Sequence, residues 1–299
     1  MRVPRELLVL YYLAGRRVLS DEERLQYERL RRGFSGELIF REAVREVFGG
    51  SDGALFSLTL PYGGSVFQLD QLIVCGEAVF FHEVKHFAGD FVVDGERWFL
   101  LWADGGRLEI NSPFVQMERA GSYLRRLVAD LGYERRVIGR AVFTHEAFAL
   151  FGAQYEWPLV LPGQVRRYLY RLRDRVLRAG GSYDGRRVRV DGESAALVRD
   201  LARLHVENHP YERLPLYDYA DLRKCVNCPD CMGVMLPVSN RSVKCRACGR
   251  LLVNVDALRF AARQFEVLFP ERELTSGVLY DWCGGVFSRY VVWYFFKNR

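Results

Sequence analysis

Long apolar runs are missing from this chain of 299 residues. The two longest, Leu7 to Ala14 and Val291 to Phe296, fall well short of the roughly 20 residues that span a bilayer, so no membrane partner is expected. Internal repeats and low-complexity tracts are also absent, which argues against extensive disorder. A secretory leader is not expected either. The short apolar stretch Leu7 to Leu13 has Glu6 beside it, and Arg16 and Arg17 stand where a small-residue cleavage motif would be. Cysteine is scarce outside one place: five of the seven lie within residues 225–248 as C-x-x-C pairs. That clustering points to a thiolate metal site in a reducing compartment, the cytoplasm, and not to a disulfide framework.

What remains has the make-up of a globular protein, with 49% hydrophobic and 27% charged residues. The length suits two domains, or one with attachments. Forty-three Lys and Arg against 37 acids give a net charge of +6. This moderate basicity is compatible with a polyanionic partner without requiring one.

The chain divides by pattern. Residues 1–33 form a helical lead-in, with Ser20 as a cap before Asp21-Glu22-Glu23. In 34–149, Ser35 caps a helix ending at Phe48 before Gly49-Gly50, and its apolar residues Phe40, Val44, Val47 and Phe48 recur at helical spacing. Strand-like runs follow at about 54–60, 66–75 and 78–87, then an extra hairpin around Phe91 to Ile110. Ser112-Pro113 opens a further helix with the stripe Met117, Ala120, Leu124, Leu127 and Leu131, and Val137 to Thr144 reads as a strand. Helix, three strands, helix, strand is the order of an α/β domain with a mixed sheet flanked by helices. Residues 150–224 are basic and mainly helical, with a second helix over 192–207. A cysteine module occupies 225–250, and a C-terminal helical segment occupies 251–299 with helices near 255–268 and 286–297. In that last segment, Leu274 to Lys297 with its Gly284-Gly285 turn admits a small helix-turn-helix, but Trp293, Tyr294, Phe295 and Phe296 read as core.

Cys228-x-x-Cys231 and Cys245-x-x-Cys248 are separated by 13 residues. Zn²⁺ takes four tetrahedral ligands, each C-x-x-C turn presents two thiolates, and four thiolates leave no open position, so the metal would be structural. The pattern is that of a zinc ribbon. Cys225 offers an alternative first pair with Cys228. The pair 228/231 is preferred because Pro229 suits the inside of the turn and Gly233 the bend beyond it. Cys75 and Cys283 read as ordinary buried thiols.

The segment His82-Glu83-Val84-Lys85-His86 is formally H-E-x-x-H, a zinc-protease signature. That chemistry needs a helix, which sets i and i+4 about 6 Å apart. Between Gly76 and Gly89, rich in Phe and Val and without a cap, the segment reads as a strand. There the two histidines stand about 13 Å apart, too far to share one zinc. The protease reading is therefore disfavoured. As a strand it sets Glu83 and Lys85 on one face, and the preceding strand brings Gln68 and Asp70. Two carboxylates from neighbouring strands can hold Mg²⁺ or Mn²⁺ by oxygen ligation, with a lysine beside them. A solvated strand face with an incidental Glu–Lys pair is the plainer alternative.

Gly36-Glu37, Gln68-Leu69-Asp70, Glu83-Val84-Lys85 and Asn111-Ser112-Pro113-Phe114-Val115-Gln116, in that order over about residues 34–131, resemble the nuclease-related domain (NERD) family of the PD-(D/E)xK nuclease superfamily. The resemblance implies a restriction-endonuclease-like core and metal-dependent cleavage of phosphodiesters. It assigns Asp70 and Glu83 as metal-binding acids, Lys85 as the catalytic lysine, Glu37 as the acid of the first helix, and Gln116 as the glutamine of the second helix. Two departures from the family pattern stand out: Gln71 where His is common, and Ser112 between the Asn and the Pro. Neither removes a metal ligand.

Residues 161–190 hold nine arginines against Asp174 and Asp184, a local charge of +7. Arg166, Arg167, Arg171, Arg173 and Arg178 are candidates for contact with nucleic acid, double-stranded DNA being the expected partner. A solvated helix face is the alternative. For the whole chain, the rival to an Mg/Mn-dependent endonuclease is a non-catalytic nucleic-acid-binding module with an inactive core.

Overall fold

The computed structural model describes residues 3–207 and 212–298. Helices α1 (Arg5–Ala14) and α2 (Asp21–Phe48) precede strands β1 (Ala54–Tyr62), β2 (Ser65–Cys75), β3 (Ala78–Lys85), β4 (Gly89–Asp94), β5 (Arg97–Leu101) and β6 (Arg107–Ile110). Helix α3 (Pro113–Asp130) leads to β7 (Arg136–Phe143), β8 (Phe148–Phe151) and β9 (Leu159–Val160). After a 3-10 turn at Pro162–Gln164 come α4 (Val165–Arg178), β10 (Ser182–Tyr183), β11 (Val188–Arg189) and α5 (Gly192–Arg203). The remainder comprises β12 (Met235–Ser239), β13 (Ser242–Cys245), β14 (Leu251–Val253), α6 (Asn254–Leu268), α7 (Ser276–Trp282) and α8 (Arg289–Lys297). The chain is α/β and falls into two units, one of residues 32–211 and one of residues 2–31 with 212–299.

The first unit is built on a mixed five-stranded sheet of order β1-β2-β3-β7-β9. The pairs β1/β2 and β2/β3 are antiparallel, while β3/β7 and β7/β9 are parallel. One face is covered by α3 and α5, through Met117, Leu124 and Leu127 and through Leu197 and Leu201. On the other face, Phe40, Val44 and Val47 of α2 and Leu169, Leu172 and Val176 of α4 form a second core. Each such side chain contributes about 1.5–3 kcal/mol by leaving water. The region expected as an extra hairpin is larger: β4, β5 and β6 form a meander that β8 joins in parallel, giving a four-stranded sheet of order β6-β5-β4-β8.

The helix start expected at Ser35 is overturned. Ser35 and Gly36 lie inside α2, which begins fourteen residues earlier at a capping box: Ser20 Oγ accepts from the Glu23 amide at 3.2 Å, and Glu23 Oε2 accepts from the Ser20 amide at 2.9 Å. Gly36 serves close packing instead of termination, since a Cβ there would come within 2.6 Å of His86 Cβ. The helix read as 192–207 ends at Arg203.

The second unit packs α1, α6, α7 and α8 around Val9, Leu13, Leu258, Phe265, Trp282 and Phe295, beside a three-stranded sheet of order β12-β13-β14. The Arg16 guanidinium is buried at its centre, 3.4 Å over the Trp282 ring. It donates to the carbonyls of Arg223 and Trp282 and to Gln264 Oε1. The expectation for the C-terminal aromatics needs correction: Phe295 is buried, but Trp293 and Tyr294 are 50% and 56% exposed, because they lie on the side of α8 opposite Val292 and Phe295.

Candidate active site and metal centre

Strands β1 and β2 change their in–out pattern at one point. Phe67 and Leu69 share a core cluster with Leu72 and Val74, and Leu58 and Leu60 share it with Leu55, whereas strict alternation would divide them between faces. The break falls at Ser57 and Asp70, which stand opposite each other between the paired positions Phe56↔Gln71 and Leu58↔Leu69. Ser57 has a left-handed φ of 48°, costly for a residue with a side chain and found where a site demands it. The β2/β3 pairing ends at Gln71↔His82, one residue short of Asp70 and Glu83. There Asp70 Oδ2 accepts a 2.7 Å hydrogen bond from the Val84 amide.

Glu83 and Lys85 alternate with Phe80, His82 and Val84, so they lie on the α3 side of the sheet. Lys85 Nζ donates to Glu83 Oε1 at 2.6 Å and to Gln116 Oε1 on α3 at 3.1 Å. Glu37, on α2, accepts from Ser57 Oγ at 3.1 Å. The structure thus gathers all five residues that the NERD resemblance singled out. Ser57 was missed because no sequence signal announces a left-handed serine inside a strand. Gln68 lies exposed opposite Thr59.

Burial drives the electrostatics of this cluster. It pushes the Glu37 carboxyl up to about 7, with the negative charge of Glu83 adding to the effect and the Ser57 hydroxyl opposing it. Burial, then Glu83, then Glu37 raise Asp70 well above its ordinary range, against the Val84 amide and Lys85. Glu83 is also raised by burial, with Lys85 holding it down. Sheltered acids that repel one another, with one lysine between them, form a set of hard oxygen donors short of positive charge. That chemistry fits Mg²⁺ or Mn²⁺ at Asp70 and Glu83. The three acids are more widely spread than the cysteines described below.

The H-E-x-x-H reading fails on geometry, as residues 78–85 are strand. His82 is fully buried between Phe40 and Tyr168, and its Nε2 lies 2.7 Å from the Tyr168 hydroxyl. His86 pairs with Thr144 Oγ1 instead.

In the second unit, Cys228, Cys231, Cys245 and Cys248 have their sulfurs within 4.8 Å of one another, the one such group of possible metal ligands among the described residues. Cys228–Cys248 and Cys231–Cys245 are 3.7 and 3.5 Å apart. Sulfurs about 2.3 Å from a tetrahedral zinc would stand about 3.8 Å from one another, so the four fit that ion. Amides of Asp230 and Cys231 face the Cys228 sulfur, and those of Ala247 and Cys248 face Cys245. Gly233 allows the close approach, since a Cβ there would lie 3.1 Å from Cys245 Sγ. Cys225 is buried elsewhere, next to Trp282 through its amide, and is not part of the group. The cluster is consistent with a zinc ribbon.

On α4, Val165, Leu169, Leu172 and Val176 face the core. Arg166 pairs with Glu46 at 2.9 Å. Arg173 is partly sheltered beside Asp174. Arg167, Arg171 and Arg178 are exposed without an ion pair among the described residues. Cys75 and Cys283 are buried, as expected.

The core is thus a mixed sheet flanked by helices, with Asp70 in the middle of β2 and Glu83 and Lys85 at the end of the neighbouring β3. Residues 32–144 match the family model described as NERD, nuclease-related domain. No curated protein and no solved structure matches the chain. Among the described residues no helix is long and apolar enough to cross a membrane.

Proposed function

We propose that this protein is an Mg²⁺- or Mn²⁺-dependent endonuclease that hydrolyses DNA phosphodiester bonds through a PD-(D/E)xK-type site. The observation that carries the reading is the hydrogen bond from the Val84 amide to Asp70, which ties the acid of β2 to the strand bearing Glu83, with Lys85 bonded to Glu83. Asp70 and Glu83 would hold the cation, which supplies a lowered pKa for bound water and neutralises charge on the phosphate oxygens. Lys85 orients the nucleophile or stabilises the charge that develops on phosphate. Gln116 fixes the Lys85 ammonium, and Glu37, held by Ser57, adds a third acid at the rim. The exposed Arg167, Arg171 and Arg178 supply positive charge for the duplex backbone, with Arg166 and Arg173 beside them. Cys228, Cys231, Cys245 and Cys248 hold a structural Zn²⁺, and thiolates kept from forming disulfides imply a reducing compartment, the cytoplasm.

Plasmid DNA incubated with the protein and Mn²⁺, beside Glu83→Ala and Lys85→Ala, tests this. Nicking by the wild type alone supports the reading. Equal nicking by all three removes it. DNA binding without cleavage in any divalent metal would favour the non-catalytic binding module instead.

A further inference from the structure

Helix α8 leaves one face uncovered, and that face is aromatic. Val292 and Phe295 are buried, while Tyr290, Trp293 and Tyr294 are 68%, 50% and 56% exposed. These positions recur at i, i+3 and i+4, so the three rings share one side of the helix. Tyr290 lies 6.1 Å from Trp293 and 6.3 Å from Tyr294 between ring centres, with interplanar angles of 32° and 27°, so the three rings are close neighbours in roughly aligned planes. Cations bracket them. Arg289 sits at the start of the helix, 4.7 Å over the Tyr280 ring, and Lys297, one turn beyond Trp293, is 5.4 Å from that ring. Residues 282–298 contain no Asp or Glu.

We infer that this face is a stacking platform for single-stranded nucleic acid, distinct from the candidate active site. Unpaired bases offer free π-faces that lie flat on Tyr and Trp, whereas a duplex keeps its faces stacked inside. The phosphates between successive bases meet Arg289 and Lys297, and no carboxylate on this segment repels them. A purely apolar docking face would have no need of cations at both ends, and an acidic peptide would not need three exposed rings. The inference rests on the reading of this protein as directed at nucleic acid, but not on its being catalytic.

The test is fluorescence anisotropy of a labelled oligothymidylate about twenty nucleotides long, a few site sizes of a single-strand binder, with the full chain and no added Mg²⁺ or Mn²⁺. Trp293→Ala and Tyr290→Ala should each weaken binding about tenfold, the scale of one lost stack, and Trp293→Phe should retain most of it. Lys297→Gln should make binding less sensitive to salt. Binding of a duplex of equal length should not change. A Trp293→Ala/Tyr290→Ala variant that keeps the wild-type circular dichroism and zinc content, yet binds oligothymidylate as tightly, overturns the inference. So does a wild-type dimer that these substitutions turn into a monomer in sedimentation, which would give the face to a second copy. Plasmid cleavage without oligothymidylate binding sinks the platform and leaves the nuclease reading intact. Ring-dependent binding without cleavage does the reverse.

Discussion

Asp70 accepts a 2.7 Å hydrogen bond from the backbone amide of Val84, the residue between Glu83 and Lys85. One carboxylate of the candidate pair thus joins the backbone of the strand that bears the other. At that position the β2/β3 pairing has ended, and the side chain satisfies an amide that the ladder leaves without a strand partner.

Removing charge from this cluster should separate function from stability. Asp70→Asn keeps an oxygen for the Val84 amide but relieves repulsion from Glu83 and Glu37. Without divalent metal it should stabilise the fold by about 1 kcal/mol, read by thermal denaturation, while cleavage falls at least about a hundredfold. Adding Mn²⁺ should raise the melting temperature of the wild type and not of the variant.

Lys85→Met should abolish cleavage and also destabilise the protein by about 2 kcal/mol. Glu83 is only 5% exposed, and the substitution leaves its carboxylate without a partner. Gln116 is exposed and touches the cluster through Lys85, so Gln116→Ala should cost less than about 0.5 kcal/mol and lower cleavage more mildly. Denaturant melts and plasmid nicking check both.

Metal analysis should find about one zinc per chain. Cys231→Ser should lose it, while Cys225→Ser should keep it, because Cys225 lies outside the four-sulfur group. Zinc retained in Cys231→Ser and lost in Cys225→Ser would reverse the ligand assignment.

Glu23 gives a pH signature. Its hydrogen-bonded pairing with Arg17, and then the Ser20 amide, draw its carboxyl below the ordinary glutamate value. A carboxyl whose pKa is lower when folded contributes stability that is fully present above its unfolded pKa, about 4.3, and is lost as pH falls through the folded value. Glu23→Gln should therefore cost about 1 kcal/mol at pH 7 and much less near pH 3, measured by urea titration.

Arg16→Met should destabilise the second unit by about 3 kcal/mol. The side chain satisfies two backbone carbonyls and Gln264 at once, and a thioether leaves all three unmet. Calorimetry on the full chain should register the loss.

Much of the site was legible in the sequence because strand periodicity is strict over short stretches. Glu83 and Lys85 two apart must share a face, and β3 obeys that rule. The two C-x-x-C turns were legible for a similar reason, since ligand spacing is local. Helix α2 was misread because Gly33, Ser35 and Gly36 have the character of a break. Packing against His86 and a strong cap at Ser20 outweigh the roughly 1 kcal/mol that a glycine costs inside a helix.

The sequence by itself determined which side chains of the candidate site share a strand or a helix turn, because backbone geometry fixes neighbours two, three or four residues apart. Tertiary structure alone decided that Ser57 turns left-handed opposite Asp70 to hold Glu37, and that Arg16 is core. It also decided that Trp293 faces outward while Phe295 faces in. Those outcomes depend on what each segment packs against, and contact between residues far apart in the chain leaves no local periodicity to read.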